Sequence, residues 1–508
     1  MPRRSILFLL ACTLLVRPAD ATWSIVVVDR HTGEVGVAAA TCIPRTNLLM
    51  GLTTVVVGVG GGVVQSAGDP ADLVPMTAGL RARLAPADIL ALVIDAEPAP
   101  RVLQTGIVAL YDGVPVTFSG EGVGRAKLGV VGEVGDLAYA IQGNVLAGSE
   151  VVEAAEATLL ATGGDLGQRL LAAMVAAREL GGDGRCSCSM SRPASCGAPP
   201  PDFEKSAHCG FLVVARIGDP DAPCLTGSDC VSNDVYLRLN IRGQDAAEND
   251  PDPVDQLVER YATWRANRAG RPDGILSRVD AVEALPADGR TKRQVVVKLV
   301  DVDGVPLDHG GASVRVRAVD GARSRVAVGP VVDLGDGSYR FSITASRNTG
   351  TDRFAISAAD DLVEATLYPY LEVRSDPPAA LHIGESTLSA STGGRVSFAL
   401  APAAPPGAPY LLLASASGTR PGLPLPGPAL LPLNRDPWFL FSLRAAGDPR
   451  VLPGSVGALD ADGRAEAELV APPGALTALI GSHLSWAAVC AGERGAVVTD
   501  AVELAITP

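Results

Sequence analysis

Thr22 is the residue of this sequence whose chemistry depends most on its place in the chain. It stands directly after Ala19-Asp20-Ala21 and just before the apolar run Ile25–Val28. A threonine hydroxyl is a weak nucleophile unless a base lies beside it. At a free N-terminus, threonine carries its own base, an α-amine with an ordinary pKa of about 7.7–8.0. A cut directly before Thr22 would therefore create a nucleophile for acyl transfer, whereas an internal Thr22 is an ordinary strand residue.

The residues before Thr22 have the pattern of a secretory signal peptide, which would supply this cut. Arg3 and Arg4 precede a mostly apolar run, Ser5–Val16, and small residues stand at both ends of 19–21. The apolar run is too short to span a membrane, and we find no later segment that is apolar for long enough. We expect residues 1–21 to be removed and the bacterial-type mature protein to be secreted, periplasmic or held in the cell envelope.

A second interpretation of the leader places the cut earlier. Leu9-Leu10-Ala11-Cys12 resembles a bacterial lipoprotein cleavage box, although the apolar run continues past Cys12 as Thr13–Val16. Cleavage there would move the mature N-terminus to Cys12 and leave Thr22 internal.

Several short blocks resemble the domain-of-unknown-function 1028 family over about residues 22–245. The most specific blocks are Thr22–Val26, Asp29–Ala38 and Gln142–Gly148. Weaker blocks are Gln65-Ser66, Gln104 with Ile107-Val108, Gly181–Arg185 and Ser206-Ala207. That family is grouped with the N-terminal-nucleophile hydrolases. The resemblance implies an α+β fold with a four-layer αββα sandwich, in which two sheets lie face to face with helices outside. It also implies Thr22 as the nucleophile and, by analogy, amidohydrolase or peptidase activity on an unknown small-molecule or peptide substrate.

Other polar residues are candidates for the remaining parts of an acyl-transfer site. Asn144, which follows a strand and has glycine neighbours, is a candidate oxyanion donor or else part of a simple turn. Ser24 lies close to the N-terminus along the chain and could orient the amine. Asp183 and Arg185 form either a charged site or an ion pair. Three glutamines are candidate lining residues or ordinary buried amides: Gln65, Gln104 and Gln142.

Two features depart from the expected site, and the first of them, together with the two β domains predicted below, favours a rival interpretation. Proteasome-like relatives place an acid and a lysine near the nucleophile, but the predicted strand Val35–Ala40 offers only apolar residues, and the first lysine after Thr22 is Lys127. Six cysteines between residues 186 and 230 form an insert that could cover or reshape the site. The rival is a non-catalytic surface or adhesion protein that keeps the hydrolase scaffold.

Eight cysteines remain after residue 21: Cys42, Cys186, Cys188, Cys196, Cys209, Cys224, Cys230 and Cys490. An even number in an exported protein favours disulfides, whose pairing the sequence leaves open. Cys186-Ser187-Cys188 could instead belong to a metal site, with His208 beside Cys209 as a nearby histidine. A metal-dependent hydrolase is therefore a third interpretation. The preferred one has disulfides, no metal and no other cofactor.

The charge and composition exclude some partners. The net charge is −14 at pH 7 without a basic stripe, which disfavours nucleic acid and anionic membranes as partners. Aromatic residues make up only 4% of the chain, so alanine, valine and leucine must build the core. A chain of 508 residues is too long for one core and is expected to form several domains.

The front of the chain alternates predicted strands and helices. Predicted strands are Ile25–Val28, Val35–Ala40, Thr53–Val59, Phe211–Arg216 and Val235–Asn240, with a hairpin of Ile107–Tyr111 and Val114–Phe118. Predicted helices are Ala71–Leu84, Pro86–Asp95, one capped by Ser149, one capped by Asp165 and ended by Gly181-Gly182, and Asp252–Ala269 with Asp252 as its cap.

From about residue 291 the pattern is all-β. Predicted strands there are Val295–Val302, Ala312–Val319, Val326–Val332, Gly337–Thr344 and Arg353–Ala359. We predict a signal peptide (1–21), a hydrolase-like αββα domain (22–245), a helix and linker (246–290), an Ig-like β-sandwich (291–375) and a C-terminal β-sandwich-like domain (376–508). The two β domains would bind a cell-surface or extracellular partner.

Overall fold

The structure is a computed structural model that describes residues 22–245, 249–286, 289, 291–319, 326–346, 348–376, 380–402, 404–426, 429–492 and 495–508. The expected signal peptide over residues 1–21 and the lipoprotein box at Cys12 lie outside the described residues. Both interpretations of the leader therefore stay predictions. Three of the residues expected to open the last β region, 377–379, also lie outside them.

Two antiparallel sheets form the first part of the described chain. The strands are β1 Thr22–Asp29, β2 Glu34–Thr41, β3 Thr53–Val56, β4 Gly60–Ser66, β5 Leu103–Ala109, β6 Val116–Ser119, β7 Leu128–Val134, β8 Leu137–Asn144, β9 Cys209–Ala215 and β10 Leu237–Ile241. The helices are α1 Leu48–Leu52, α2 Leu73–Arg81, α3 Pro86–Ala96, α4 Glu150–Ala161, α5 Leu166–Glu179, α6 Gly184–Ser187 and α7 Pro253–Ala266. The six-stranded sheet has the order β10-β9-β2-β1-β8-β7, and the four-stranded sheet has the order β3-β4-β5-β6.

The alternation of side chains along β1 shows how these sheets are covered. Trp23, Ile25 and Val27 pack in a core with side chains of α4, α5 and α7. Val26 and Val28 pack in a second core with side chains of β3, β4 and β5. Because successive side chains of a strand point to opposite faces, one face of β1 meets helices and the other meets the second sheet. A third core joins the four-stranded sheet to α2 and α3.

The helix starts follow the predicted caps in two of three places. The Asp165 carboxylate accepts from the backbone N–H of Gln168 at 2.8 Å, and the Asp252 carboxylate accepts from that of Val254 at 2.8 Å. Ser149 stands at the start of α4, but its side chain makes no capping hydrogen bond. Its backbone is helical (φ −65°, ψ −27°). A residue whose side chain caps a helix normally has an extended backbone instead.

The prediction of one strand over Thr53–Val59 is wrong in its second half. β3 ends at Val56, and the chain turns at Gly58 with a φ of +64°, a conformation that glycine adopts without strain. An unpredicted strand, β4, follows and begins with three glycines. Those glycines give little side-chain pattern to predict from, yet they allow close packing, because a Cβ on Gly62 would collide with Met76.

The second part of the described chain is rich in strands. They are β11 Arg278–Val279, β12 Leu285–Pro286, β13 Lys292–Lys298, β14 Ser313–Ala318, β15 Ala327–Val328, β16 Val332–Asp333, β17 Ser338–Thr344, β18 Gly350–Ala359, β19 Glu364–Asp376, β20 Leu381–Ile383, β21 Thr387–Ser389, β22 Gly394–Leu400, β23 Pro409–Ser415, β24 Leu423–Pro424 and β25 Leu430–Leu431, then helix α8 Pro437–Arg444, then β26 Val456–Ala458, β27 Ala465–Ala471, β28 His483–Gly492, β29 Gly495–Val498 and β30 Val502–Thr507. The sheet β11-β13-β17-β15 and the sheet β12-β19-β18-β14 share one apolar core. The sheets β20-β22-β27 and β21-β30-β28-β23-β26 share another.

The later part of the segment predicted as a helix and linker, residues 270–290, takes part in this fold in its described residues. β11 pairs with β13 and β12 pairs with β19. Asp273 is buried in an ion pair with Arg216, at 2.7 Å between Oδ2 and Nη1. Short edge strands and one buried aspartate leave no apolar pattern from which these contacts could be predicted. Helix α7 packs on α5, β9 and β10, and the predicted domain boundaries stay predictions.

The cysteines form three disulfides within the described residues. The pairs are Cys42–Cys186, Cys188–Cys196 and Cys224–Cys230. Cys209 and Cys490 are buried without a disulfide among these residues, so the even count of cysteines did not mean complete pairing. Disulfides persist in oxidising compartments, which fits an extracellular or envelope location. Among the described residues, we find no helix long and apolar enough to cross a membrane.

Candidate functional site

Thr22 lies at one end of a central strand of the six-stranded sheet. Its side chain is buried, and its Oγ1 lies 3.3 Å from Oγ1 of Thr41, the last residue of β2. On its other side it is paired with Asn144, the last residue of β8. The carbonyl of Thr22 accepts a hydrogen bond from Nε2 of Gln65 at 3.2 Å, so the second sheet also contacts it. Three strand ends and the opposite sheet therefore meet at Thr22.

A continuous chain of buried amides joins the two sheets beside Thr22. Ser24 Oγ donates to Gln65 Oε1 at 2.6 Å, and Gln142 Nε2 donates to Ser24 Oγ at 2.6 Å. Gln65 Nε2 donates to Gln104 Oε1 at 2.6 Å. Strand register explains these contacts, because Ser24 is paired with Gln142 in one sheet and Gln65 with Gln104 in the other.

Asn144 continues this network and leaves one atom open. Its Nδ2 donates to Gln104 Oε1 at 2.9 Å. Its Oδ1 is buried without a hydrogen-bond partner among the described residues. An unsatisfied buried acceptor costs about 1–3 kcal/mol. Asn144 Oδ1 is therefore the point of the network at which an added N–H or O–H group would stabilise the protein.

A glycine makes room for the glutamines between the sheets. A Cβ on Gly106, in β5, would collide with the carboxamide of Gln142. Thr117, in β6, adds a contact between its Oγ1 and Gln142 Oε1 at 3.2 Å. The polar side chains thus occupy a space that the small residue opposite leaves free.

Asp183 and Arg185 form an ion pair on the other side of Thr41. Arg185 Nη2 lies 2.8 Å from Asp183 Oδ2, and Arg185 Nε lies 3.1 Å from Asp183 Oδ1. Asp183 Oδ2 also accepts from the backbone N–H of Cys42 at 2.7 Å. Of the two sequence interpretations, the ion pair is the one observed. It holds the end of β2, where Thr41 and Cys42 follow one another.

His208 lies in the same region, but beside a different cysteine pair from the one expected. Its backbone N–H donates to the carbonyl of Thr41 at 2.8 Å. The donor atoms of Cys42, Cys186 and His208 all lie within 4.8 Å of one another. Burial lowers the pKa of His208, and the positive charge of Lys205 lowers it further. The neighbouring Cys209 is a buried thiol, and burial raises its pKa to about 12.

The structure places six of the eight predicted site residues in one hydrogen-bonded group and the other two next to it. Six belong to one hydrogen-bonded group around the start of β1: Thr22, Ser24, Gln65, Gln104, Gln142 and Asn144. Asp183 and Arg185 connect to that group through Thr41 and Cys42. The first lysine after Thr22, Lys127, donates to the carbonyl of Gly120 at 2.6 Å.

Sequence reasoning missed Thr41, Thr117 and Ser119 as members of the group. Thr41 offered a weak signal, because it is the polar residue at which an apolar strand ends. Ser119 Oγ accepts from Gln104 Nε2 at 2.8 Å. This contact joins β5 to β6, and no pattern within either strand predicts it.

We describe three of the solved structures that this chain distantly resembles. One is a DUF1028-family protein from Silicibacter pomeroyi, 20% identical, which covers 48% of this chain and 85% of that chain with a TM-score of 0.34. The Yersinia pseudotuberculosis adhesin InvE is 16% identical, and the match covers 46% of this chain and 58% of InvE with a TM-score of 0.19. The Escherichia coli adhesin FdeC is 12% identical, and the match covers 96% of this chain and 97% of FdeC with a TM-score of 0.20. We take no conclusion from likenesses with such low TM-scores. No curated protein matches this chain.

A family model matches the part of the chain that holds the candidate site. The match begins at Thr22 and ends at Ser191. It includes β1, the amide network and the Asp183–Arg185 pair, while His208 and the β-rich part lie beyond it. The resemblance found in the sequence is thereby confirmed in this range. Over residues 22–191 the chain matches a family of unknown function, DUF1028.

Proposed function

We propose that this protein is an exported N-terminal-nucleophile hydrolase that cleaves an amide or similar acyl bond with Thr22. The observation that carries the proposal is the setting of Thr22. It begins a central strand instead of a loose tail, and its hydroxyl and carbonyl are contacted from β2 and from the opposite sheet. A nucleophile held in this way keeps its orientation, which acyl transfer requires.

The proposed reaction uses the α-amine that cleavage after Ala21 would create. Thr22 Oγ1 bonds to the acyl carbon as its proton passes to the amine. The resulting ammonium returns the proton to the leaving nitrogen as the carbon–nitrogen bond breaks. Water then attacks the ester, the amine takes the proton from that water, and Thr22 Oγ1 leaves as a hydroxyl.

We propose a separate role for each neighbouring residue from its hydrogen bonds. Ser24 is engaged with Gln65 and Gln142, so we propose that it orients these amides instead of the Thr22 amine. Asn144 Oδ1 is an acceptor opposite Thr22 and suits the N–H of an α-amine or a substrate. An oxyanion role for Asn144 requires its amide to turn, so that Nδ2 leaves Gln104.

The packing of helices and sheets supports a proposed division of the chain into domains. Helices α4, α5 and α7 cover one sheet and α2 and α3 cover the other, which supports an αββα hydrolase-like domain. The two pairs of sheets with their own cores support two β-sandwich domains, for which we propose a role in binding a cell-surface or extracellular partner. The substrate is a small molecule or a peptide.

The test combines N-terminal analysis with an acylating probe. We expect the exported full chain to begin at Thr22 and to take one label from an electrophilic probe for N-terminal threonine. Thr22→Ala should abolish the label, and Thr22→Ser should retain it, because serine keeps the hydroxyl and the amine. A terminus at any other residue, or a label that survives in Thr22→Ala, would overturn the proposal.

The second candidate function is a non-catalytic surface or adhesion protein on the same scaffold. The observation in its favour is the β-rich second part, which has two apolar cores and few helical residues among those described. In this case Thr22→Ala would leave both the fold and binding to the cell surface unchanged, and neither the wild type nor the variant would react with the probe.

A further inference from the structure

Cys42, Cys186 and His208 come from three separate parts of the chain and meet beside the candidate site. Cys42 directly follows β2, Cys186 lies in α6, and His208 directly precedes β9. Cys42 and Cys186 are 144 residues apart in sequence. Their sulfur atoms and a ring nitrogen of His208 all lie within 4.8 Å of one another. Among the described residues, this is the group in which three histidine, cysteine or carboxylate side chains bring their possible metal-binding atoms this close together.

These donor types are the ones that zinc prefers. With a zinc–sulfur distance of about 2.3 Å and a zinc–nitrogen distance of about 2.0 Å, tetrahedral ligands lie roughly 3.5–3.8 Å apart. The Cα atoms of Cys42 and Cys186 are 5.7 Å apart, which leaves room for two separated sulfurs. The structure joins these sulfurs in a disulfide, so a metal can bind only after the disulfide is reduced.

We propose that Cys42, Cys186 and His208 form a redox-gated binding site for a zinc-class divalent metal ion. A dithiol reductant gives two electrons and two protons to the Cys42–Cys186 disulfide, which becomes two thiols while the reductant becomes a disulfide. The metal then displaces both thiol protons and binds two thiolates and the His208 imidazole. Three protein ligands leave a fourth position for water, as in catalytic zinc sites.

The backbone around these ligands is held by contacts that do not depend on the disulfide. The N–H of Cys42 donates to Asp183 Oδ2 at 2.7 Å, and the N–H of His208 donates to the carbonyl of Thr41 at 2.8 Å. Asp183 also accepts from the N–H of Arg185 at 3.0 Å, at the start of the helix that carries Cys186. Reduction therefore frees the two sulfurs while these three hydrogen bonds keep the ligands near one another.

The other two disulfides provide an internal comparison. Cys188–Cys196 and Cys224–Cys230 close loops with sequence separations of 8 and 6. Neither pair forms a three-donor group with a histidine or carboxylate among the described residues. Reduction at those pairs is not expected to create a three-ligand site.

The test measures cobalt, a spectroscopic substitute for zinc, on the full chain. The protein is reduced with dithiothreitol, freed of the reductant without air, and titrated with Co²⁺. We expect one Co²⁺ per reduced chain with a thiolate-to-cobalt charge-transfer band, and no such band for the oxidised protein. His208→Ala should weaken binding at least about tenfold, and Cys42→Ser with Cys186→Ser should abolish it. Cys188→Ser with Cys196→Ser is the matched control and should bind as the wild type does.

Three results would overturn the site. They are failure of the reduced, thiol-counted wild type to bind Co²⁺, binding unaffected by His208→Ala, and loss of the folded circular dichroism spectrum on reduction. The inference does not require Thr22 to be a nucleophile, because Thr22→Ala should bind Co²⁺ as the wild type does. A failure here and a failure of the proposed hydrolase are therefore distinguishable.

Discussion

Gln104 holds more of the buried network together than Thr22 does. Its Oε1 accepts from Gln65 Nε2 at 2.6 Å and from Asn144 Nδ2 at 2.9 Å. Its Nε2 donates to the carbonyl of Gly143 at 3.0 Å and to Ser119 Oγ at 2.8 Å. A buried carboxamide that makes hydrogen bonds with all its donors and acceptors fixes the orientation of its partners as well as its own. At the residue scale, Gln104 and Gln65 link the two sheets at the end where Thr22 lies.

Gln104→Leu should destabilise the fold strongly. The variant leaves the amide groups of Gln65 and Asn144 buried without their acceptor, and each unsatisfied group costs about 1–3 kcal/mol. We expect the free energy of unfolding of the first part to fall by about 2–4 kcal/mol in urea titrations. The matched control is Gln294→Leu on the exposed face of β13, which should change it by less than about 0.5 kcal/mol. Equal effects of the two variants would contradict this role.

Strand β1 is the element that gives the candidate site its order. It pairs with β2 from Trp23 to Asp29 on one side, and with β8 along its whole length on the other. Chain ends are usually loose unless they are tied into a sheet. At the element scale, these pairings hold β1 in the sheet, and the pairing with β8 includes Thr22.

A second feature at the element scale is a pair of buried carboxyl groups between α2 and α3. Asp72 precedes α2, and Glu97 directly follows α3. Burial raises the pKa of Asp72 to about 7, with a hydrogen bond to Glu97 and its negative charge adding to the rise. The folded protein therefore binds a proton on Asp72 over a pH range in which the unfolded chain, with an ordinary pKa of 3.8, has released it.

Stability supplied by Asp72 should decrease as the pH rises. The protonated group stabilises the fold at low pH, and this contribution is lost as the pH rises through about 7. We expect Asp72→Asn to remove roughly 1–3 kcal/mol of pH dependence between about pH 4 and pH 8 in urea titrations. Asp88→Asn, at an exposed position of α3, is the control for loss of one carboxylate. A wild-type minus Asp72→Asn difference that stays constant with pH would contradict the assignment.

Arg216 ties the first sheet to the region that follows α7. Its Nε lies 2.7 Å from Glu34 Oε1, and its Nη1 lies 2.7 Å from Asp273 Oδ2. All three side chains are buried, and the guanidinium stacks on the Tyr236 ring at 3.4 Å from its centre. At the scale of the whole molecule, this group joins the first part of the described chain to the start of the β-rich part.

Asp273→Ala should weaken that junction. Removal of one partner leaves the buried Arg216 charge incompletely paired, which costs about 3–5 kcal/mol. We expect calorimetry to show the transition of the first part at a lower temperature and separated from that of the β-rich part. Asp303→Ala removes a carboxylate that pairs with Arg265 and is 46% exposed, and it should cost at most about 1 kcal/mol. Unchanged, overlapping transitions in Asp273→Ala would show that the junction does not couple the two parts.

Local patterns were sufficient for much of the fold. The runs that became β1, β2, α3, α5 and α7 are predictable because their apolar spacing and caps lie within a few residues of one another. β4 and β19 were not predicted. β4 begins with three glycines, and Pro369 interrupts the alternation along β19, so neither has a clear local pattern.

By itself, the sequence determined that Thr22 precedes an apolar strand, that the front of the chain resembles the DUF1028 family and that the rest is rich in strands. Only the tertiary structure decided that Thr22 meets Thr41, that Gln104 joins Gln65 to Asn144, and that His208 faces Cys42 and Cys186. The physical reason is range. A strand's faces follow from the two-residue period along the chain, whereas its neighbours follow from register and sheet packing between distant segments.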